Sequence, residues 1–496
     1  MTEVASIPSV ESAELRRGQM LIDGEWRDAA NGQTLEVESP GTRTIVGAIA
    51  RGGAADVDSA VQAARRAFPG WRATTPRERA RLIRQIADRL AAASEDVAQT
   101  IALETGNALR TQARPEAIEA AEALHYFAGL SREVKGHTIP LGEEALSYTR
   151  REPLGVVGAI IPWNGPVNIA CLKIGPALAT GNTIVLKPAE DATLCVLKLA
   201  EICNEILPPG VVNVVTGLGE ECGAALLANQ DVDKLTFTGS SEVGRLVAAR
   251  AAERLVPVSL ELGGKSPCIV FPDSNTDETV EGVMSAMRFT RQSQSCTAGS
   301  RLFLHKDIYD DFLATLAQRV QHYTIGDPLD EATDVGTLIN HKQHQRVSSY
   351  IEQGLAQEGG ELVVGGLPPT DGPLSRGYFA VPTIFAQASN DWRLAREEIF
   401  GPVLVAIPWS DEEEVVRMAN DSHYGLAAYV WAKNAAVAIR TAHRIESGWV
   451  QVNQGGGQQL GQPYGGYKQS GIGREFSLEG MLDSFTQIKT VTINLN

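Results

Sequence analysis

Between Val156 and Glu253 short apolar runs alternate with helical stretches, and this rhythm constrains the fold more than any other feature of the chain. Val156–Ile161, Thr183–Leu186, Val211–Val215 and Lys234–Phe237 read as buried strands, bounded by turn residues. Ile169–Leu178, Leu194–Ile206, Cys222–Ala228 and Glu242–Glu253 read as the helices that follow them. Such repetition predicts a parallel, doubly wound sheet. A second block of the same kind starts near Ser266. Its expected strands include Pro267–Phe271, Arg301–His305, Val403–Pro408 and Leu426–Trp431. Its expected helices include Asp277–Arg288, Asp307–Gln321, His341–Glu358, Glu412–Asn420 and Ala435–Arg444. The fold class is therefore α/β, with two parallel-sheet domains.

Ahead of these blocks a polar arm of about thirty residues, ending in short strands, is expected. Val57, Val61, Ala64 and Phe68 then recur at helical spacing, in a helix expected to end near the Pro69-Gly70 breaker. A second helix is expected over Arg77–Leu90, and Ala-rich helical sequence continues to about Leu130. From Lys135 to Arg151 the texture turns polar and strand-like. Gly365–Gly377, rich in Gly and Pro, reads as an exposed loop. The alternating segment Ile488–Ile493 reads as a strand suited to pairing with another subunit.

A length of 496 residues implies two or three domains, and 43% hydrophobic residues can build large cores without metals or disulfides. The net charge of −16 argues against nucleic acid or an anionic membrane as a partner. Six cysteines, at 171, 195, 203, 222, 268 and 296, have neither disulfide nor zinc-site spacing, so no metal is expected. No signal pattern or apolar run of membrane-spanning length is apparent, and a reducing cytoplasm is the expected location.

Some residues stand out chemically, each with two readings. Cys296 lies in Ser293-Gln-Ser-Cys-Thr-Ala-Gly299, among small polar neighbours that do not suit a core cysteine but do suit a nucleophile near free N–H groups. Glu261 sits within the apolar run Val256–Leu262, either as a raised-pKa base or as a salt-bridge partner of Lys265 or another cation. Asn164 follows a buried strand, where an amide either donates to an oxyanion or simply makes an Asn-Gly turn. The Phe237-Thr-Gly-Ser-Ser-Glu-Val-Gly244 junction is either a phosphate-binding helix start or an ordinary connection. Lys187 and Glu190 either reach ribose hydroxyls or lie on a solvated turn.

Together the segments Pro162-Trp-Asn, Phe237-Thr-Gly-Ser, Glu261-Leu-Gly-Gly-Lys, Gln294-Ser-Cys, Glu397-Glu-Ile-Phe-Gly-Pro402 and Pro463-Tyr-Gly-Gly-Tyr-Lys-Gln-Ser-Gly471 resemble the aldehyde dehydrogenase superfamily, in the family's order and over nearly the whole chain. The resemblance implies NAD(P)-dependent oxidation of an aldehyde to a carboxylic acid. It implies Cys296 as nucleophile, Glu261 as general base and Asn164 as oxyanion donor. It assigns NAD, with NADP as the alternative, to Ile160, Pro162, Trp163, Lys187, Glu190, Phe237, Gly239, Ser240, Leu262, Glu398 and Phe400. For the aldehyde it implies a pocket of Gly165, Leu172, Ser295, Thr297, Asn453, Gln458 and Tyr464.

The implied fold is a Rossmann-type cofactor domain (1–129 and 150–262), a catalytic domain (263–464), oligomerisation segments (130–149 and 480–496) and a return to the cofactor domain (465–479). It implies a homodimer or homotetramer. An acid at position 261 favours hydrolysis over coenzyme-A acylation, and the intact Cys296, Glu261 and Asn164 set speaks against a non-catalytic NAD-binding member. Many relatives carry Asn and Gly where this chain has Arg291 and Ser293, and here Arg291 is expected to face solvent. Gly165, Leu172 and Gln458 replace tunnel aromatics of many relatives, so a wide entrance and a bulky or aromatic aldehyde are expected.

Overall fold

A computed structural model describes residues 16–495, so the first half of the expected N-terminal arm lies outside the described residues. The first alternating block forms the centre of an eight-stranded sheet. Across it run Gly471–Ile472, Val258–Glu261, Lys234–Thr238, Val156–Ile160, Thr183–Lys187, Val212–Val214, Met20–Ile22 and Glu25–Arg27. The strands from Val258–Glu261 to Val212–Val214 are parallel. They are apolar because both faces are covered, so each reads as a short continuous hydrophobic run. The chain lays down Val156–Ile160, moves outward through Thr183–Lys187 and Val212–Val214, then returns to add Lys234–Thr238 on the opposite side. That reversal leaves a crevice beyond the carboxyl ends of Val156–Ile160 and Lys234–Thr238.

The second block forms a seven-stranded sheet in the order Glu361–Val364, Thr383–Ala386, Val403–Trp409, Arg301–His305, Pro267–Val270, Ala427–Trp431, Trp449–Val452. All its pairings are parallel except that between Glu361–Val364 and Thr383–Ala386. Helices Leu194–Ile206, Glu412–Asn420 and Ala435–Arg444 begin and end where the sequence predicts. Buried apolar side chains form one large cluster on one face of the first sheet, and further clusters on its other face and on both faces of the second.

Two expectations are corrected here. The first helix does not stop at Pro69-Gly70 but runs Ala54–Ala73 with Pro69 inside. Proline removes only one backbone donor, and the buried Trp71 anchors the last turn. The 480–496 segment is divided: Gly480 to Phe485 belong to helix Leu478–Phe485, whose Met481 and Phe485 are buried in the first domain's core. Only the strand Thr486–Asn494 joins Ala145–Pro153 and Thr138–Pro140 in a separate three-stranded sheet. The predicted strand at Ile488–Ile493 lies within it. Residues 465–479 reach back to the first sheet, where Gly471–Ile472 pairs with Val258–Glu261.

Candidate active site

Cys296 sits on a loop that the backbone bends sharply. Helix Asp277–Met287 ends at Arg288 with φ of 60°, a short turn spans Phe289–Arg291, and Gln292 and Ser293 follow at φ of 49° and 52°. Left-handed conformations at three non-glycine residues are costly and persist only when surrounding contacts hold them. Those contacts are present: Asn164 Nδ2 donates to the Gln294 carbonyl at 2.9 Å, and Gln294 Oε1 accepts from Ile339 N–H at 3.0 Å. Ser295 and Thr297 hydroxyls lie 3.1 Å apart on either side of the thiol.

A cavity of about 370 Å³ opens in front of this loop. Cys296, Glu261 and Asn164 all line it, as do Gly165, Leu172, Ser295, Thr297, Gln458 and Tyr464. Asn453 does not. It is exposed, and its amide is spent on both backbone groups of Ala432 at 2.9 Å, which pins the end of strand Trp449–Val452. Arg291 is the second correction at the site. Instead of facing solvent it lines the cavity, and its Nε donates to Gln112 Oε1 at 2.9 Å.

Glu261 ends a central strand and is 5% exposed, and neither of its oxygens has a hydrogen-bond partner among the described residues. The alternative pairing with Lys265 is not made, since the Lys265 ammonium is also buried without a partner. Burial raises the Glu261 carboxyl well above its usual range, and the nearby Glu475 carboxylate adds to the rise. Glu475 itself accepts from Lys173 Nζ at 2.5 Å in a buried ion pair. Burial pushes the Cys296 thiol up to about 11; its 3.6 Å contact with Tyr464 Oη pulls down, Glu398 and Glu261 push further up, and Arg291 pulls down. An acid and a thiol thus share one low-dielectric cavity with raised proton affinities, a pattern typical of catalytic sites.

The residues expected to hold a dinucleotide lie outside that cavity, mostly at the carboxyl ends of the first sheet's strands. Ile160 and Lys187 end their strands, and Lys187 Nζ lies 3.1 Å from Glu190 Oε2. Phe237 leads into the turn at Gly239, where a side chain would come within 2.4 Å of the Phe237 ring, so only glycine allows this approach. Ser240 caps helix Ser241–Arg254, accepting from Val243 N–H at 3.3 Å. The remaining first-turn N–H groups have no intrahelical partner and suit a phosphate. Pro162 and Trp163 follow strand Val156–Ile160, and the Trp163 ring meets Phe400 edge-on at 5.2 Å. Leu262, buried, packs over Gly244 of that helix. Glu398 Oε1 accepts from Gly264 N–H at 2.9 Å, and a side chain at Gly263 would fall within 2.3 Å of Glu398 Oε2. The donors, the carboxylates and the aromatic edge therefore fit a nucleotide lying along the strand ends toward Cys296.

Sequence reading missed several wall residues of the cavity, including Glu116, Arg288, Tyr323, Glu475 and Phe476. None stands in a motif whose spacing points to Cys296. The run Arg474-Glu-Phe476, separated by Ile472-Gly473 from the Pro463–Gly471 motif, was the one signal near a recognised motif.

The sequence profile of the aldehyde dehydrogenase family matches residues 26–491. A hydroxyisobutyraldehyde dehydrogenase of Mycolicibacterium austroafricanum is 44% identical over 96% of this chain and 94% of its own length. The NAD⁺ complex of an aldehyde dehydrogenase from Bacillus cereus superposes with a TM-score of 0.94 at 39% identity, covering 97% of both chains. A complex of PnpE with nicotinamide adenine dinucleotide superposes equally well, at 0.94 and 41% identity over 97% of this chain and 98% of that one.

Proposed function

The chain belongs to the aldehyde dehydrogenase family and is an enzyme of aldehyde oxidation, and from that premise we propose that it works through a thioester on Cys296. The observation that carries this reading is the meeting of Cys296, Glu261 and Asn164 around one cavity, although they come from distant parts of the chain. The Cys296 thiol reacts as its thiolate, its proton passing to solvent, while Glu261, whose proton affinity burial has raised, lines the same cavity. The thiolate attacks the aldehyde carbon, forming a C–S bond and an oxyanion. Asn164 Nδ2, now held by the Gln294 carbonyl, and the loop N–H groups are the donors for that oxyanion. When held by the residues at the strand ends, NAD would accept the hydride that the tetrahedral carbon gives up as its C–H bond breaks, which leaves an acyl group on Cys296. Glu261 then takes a proton from water, the hydroxide adds to the acyl carbon, the C–S bond breaks, and the carboxylic acid leaves with Cys296 restored.

Glu190, in the short turn that follows strand Thr183–Lys187, favours NAD over NADP, because a carboxylate repels a 2′-phosphate and accepts from the 2′-hydroxyl. The relative from Mycolicibacterium austroafricanum is named for a small branched hydroxy aldehyde, whereas Gly165 and Leu172 leave this wall open to bulkier ones. All six cysteines are free thiols, which suits the reducing cytoplasm as the site of action.

The test is NADH formation from an aldehyde panel by the wild type and by Cys296→Ala. Turnover lost in the variant supports the reading. A Cys296→Ala protein that still oxidises aldehydes at the wild-type rate overturns it. Acceleration by coenzyme A would replace water with that thiol as acyl acceptor.

A further inference from the structure

Arg291 enters the cavity wall from the bent loop that carries Cys296. Its guanidinium is oriented from one side only. Nε donates to Gln112 Oε1 at 2.9 Å, and Gln112 Nε2 in turn donates to Thr290 Oγ1 at 2.7 Å, which fixes the amide. Among the described residues nothing bonds to or ion-pairs with the two terminal nitrogens of Arg291.

Among the described residues, none of the acids that share this wall forms an ion pair with Arg291. Glu281 is paired with Arg319. Glu116 spends Oε1 on the N–H groups of Val167 and Asn168 and keeps Oε2 buried without a partner; burial pushes its carboxyl up to about 7, against the Arg291 charge, which pulls it down. Glu475 is held by Lys173. Glu119 is exposed to solvent and forms no ion pair with Arg291. The second arginine of the wall, Arg288, is tied to the Gly456 carbonyl. The end of the guanidinium fork, on a residue of the cavity wall, is therefore left without a hydrogen-bond or ion-pair partner among the described residues. Such a fork matches the two oxygens of a carboxylate and has no equivalent use for a neutral group.

We infer that Arg291 is a specificity-determining residue that receives a carboxylate at the far end of the substrate, so that the aldehydes this cavity selects are oxo acids. Gln112 positions it, and Thr290, Asn168 and Gln458 add hydroxyl and amide groups to the same cavity wall. The product of such a substrate is a dicarboxylate. This inference rests on the proposed aldehyde chemistry of the same cavity, and the test separates the two.

One arm measures the kcat/KM ratio of a carboxylate aldehyde to its neutral amide, using succinic semialdehyde and para-carboxybenzaldehyde with their amide counterparts. A charge-assisted fork predicts a ratio of about tenfold to a hundredfold in favour of the carboxylate. Arg291→Met should collapse that ratio and Arg291→Lys should keep part of it. A wild-type ratio near one, or a ratio that Arg291→Met leaves unchanged, overturns the inference. The second arm needs no turnover: succinate and terephthalate should slow alkylation of Cys296 by iodoacetamide, their diamides should not, and Arg291→Met should abolish the difference. Protection that depends on Arg291 while no aldehyde yields NADH would sink the oxidation mechanism and keep the carboxylate site. Equal protection by acids and diamides would overturn the carboxylate site whatever the turnover.

Discussion

Burial acts on both Cys296 and Glu261 in the same direction, holding each in its protonated form to higher pH. For the thiol the sign is simple, because only the thiolate is nucleophilic. Alkylation of Cys296 in the free protein should therefore rise by about tenfold per pH unit through the alkaline range. A plateau reached by about pH 8, near the value of an ordinary free thiol, would contradict the burial argument. For Glu261 the raised proton affinity makes it a stronger base once ionised. Glu261→Gln keeps the shape and removes the base, so steady-state turnover should fall by about a hundredfold to ten-thousandfold. A first turnover of NADH should survive as a burst, because the loss falls on hydrolysis. Equal loss of the burst and the steady state would move the role of Glu261 to the earlier step.

The element that decides the site is the loop from Arg288 to Cys296. Its left-handed residues are held by long-range bonds, and one of them, Ser293, is buried with a hydroxyl that lacks any partner among the described residues. Ser293→Gly removes about 1–2 kcal/mol of backbone strain and an unpaired hydroxyl, against about 0.4–1 kcal/mol of added unfolded-state freedom. The variant should therefore be more stable by about 1 kcal/mol, seen as a raised thermal midpoint. A lowered midpoint would mean that the Ser293 side chain supports the loop. The same loop explains why Arg291 was misread. Sequence spacing places it beyond a helix end, where a basic residue usually faces solvent, but the turn at Arg288 redirects the chain into the cavity.

At the scale of the whole molecule, the three-stranded sheet stands apart from both cores. Its outer strand Thr486–Asn494 pairs on one side only, and Ile488, Ile493 and Leu146 are exposed. An unprotected edge with apolar side chains invites pairing with a second copy. The expected assembly is a homodimer or homotetramer, and sedimentation equilibrium checks it. Ile488→Asp together with Ile493→Asp should shift the mass downward. A wild-type monomer at micromolar concentration would remove that role from the sheet.

How much of this was readable beforehand follows from the range of the forces involved. Parallel strands buried on both faces must be apolar throughout, and amphipathic helices must repeat at helical spacing. Arg301–His305 and Leu194–Ile206 were therefore visible as local patterns and end where expected. Trp449–Val452 and Thr383–Ala386 were not, because no long helix follows either one to complete the strand–helix rhythm and their partners are distant. At the site, Cys296, Glu261 and Asn164 could be named because each stands in a local motif. The sequence by itself thus determined the two α/β blocks, the family and the reactive groups, all of which depend on near neighbours along the chain. Only the tertiary structure decided that Glu261 stands unpaired beside the Lys173–Glu475 ion pair, whose members lie 302 residues apart. It alone turned Arg291 into the cavity and Asn453 out of it. Burial, charge pairing and the reach of a side chain are set by groups brought together across the fold, and no local pattern records them.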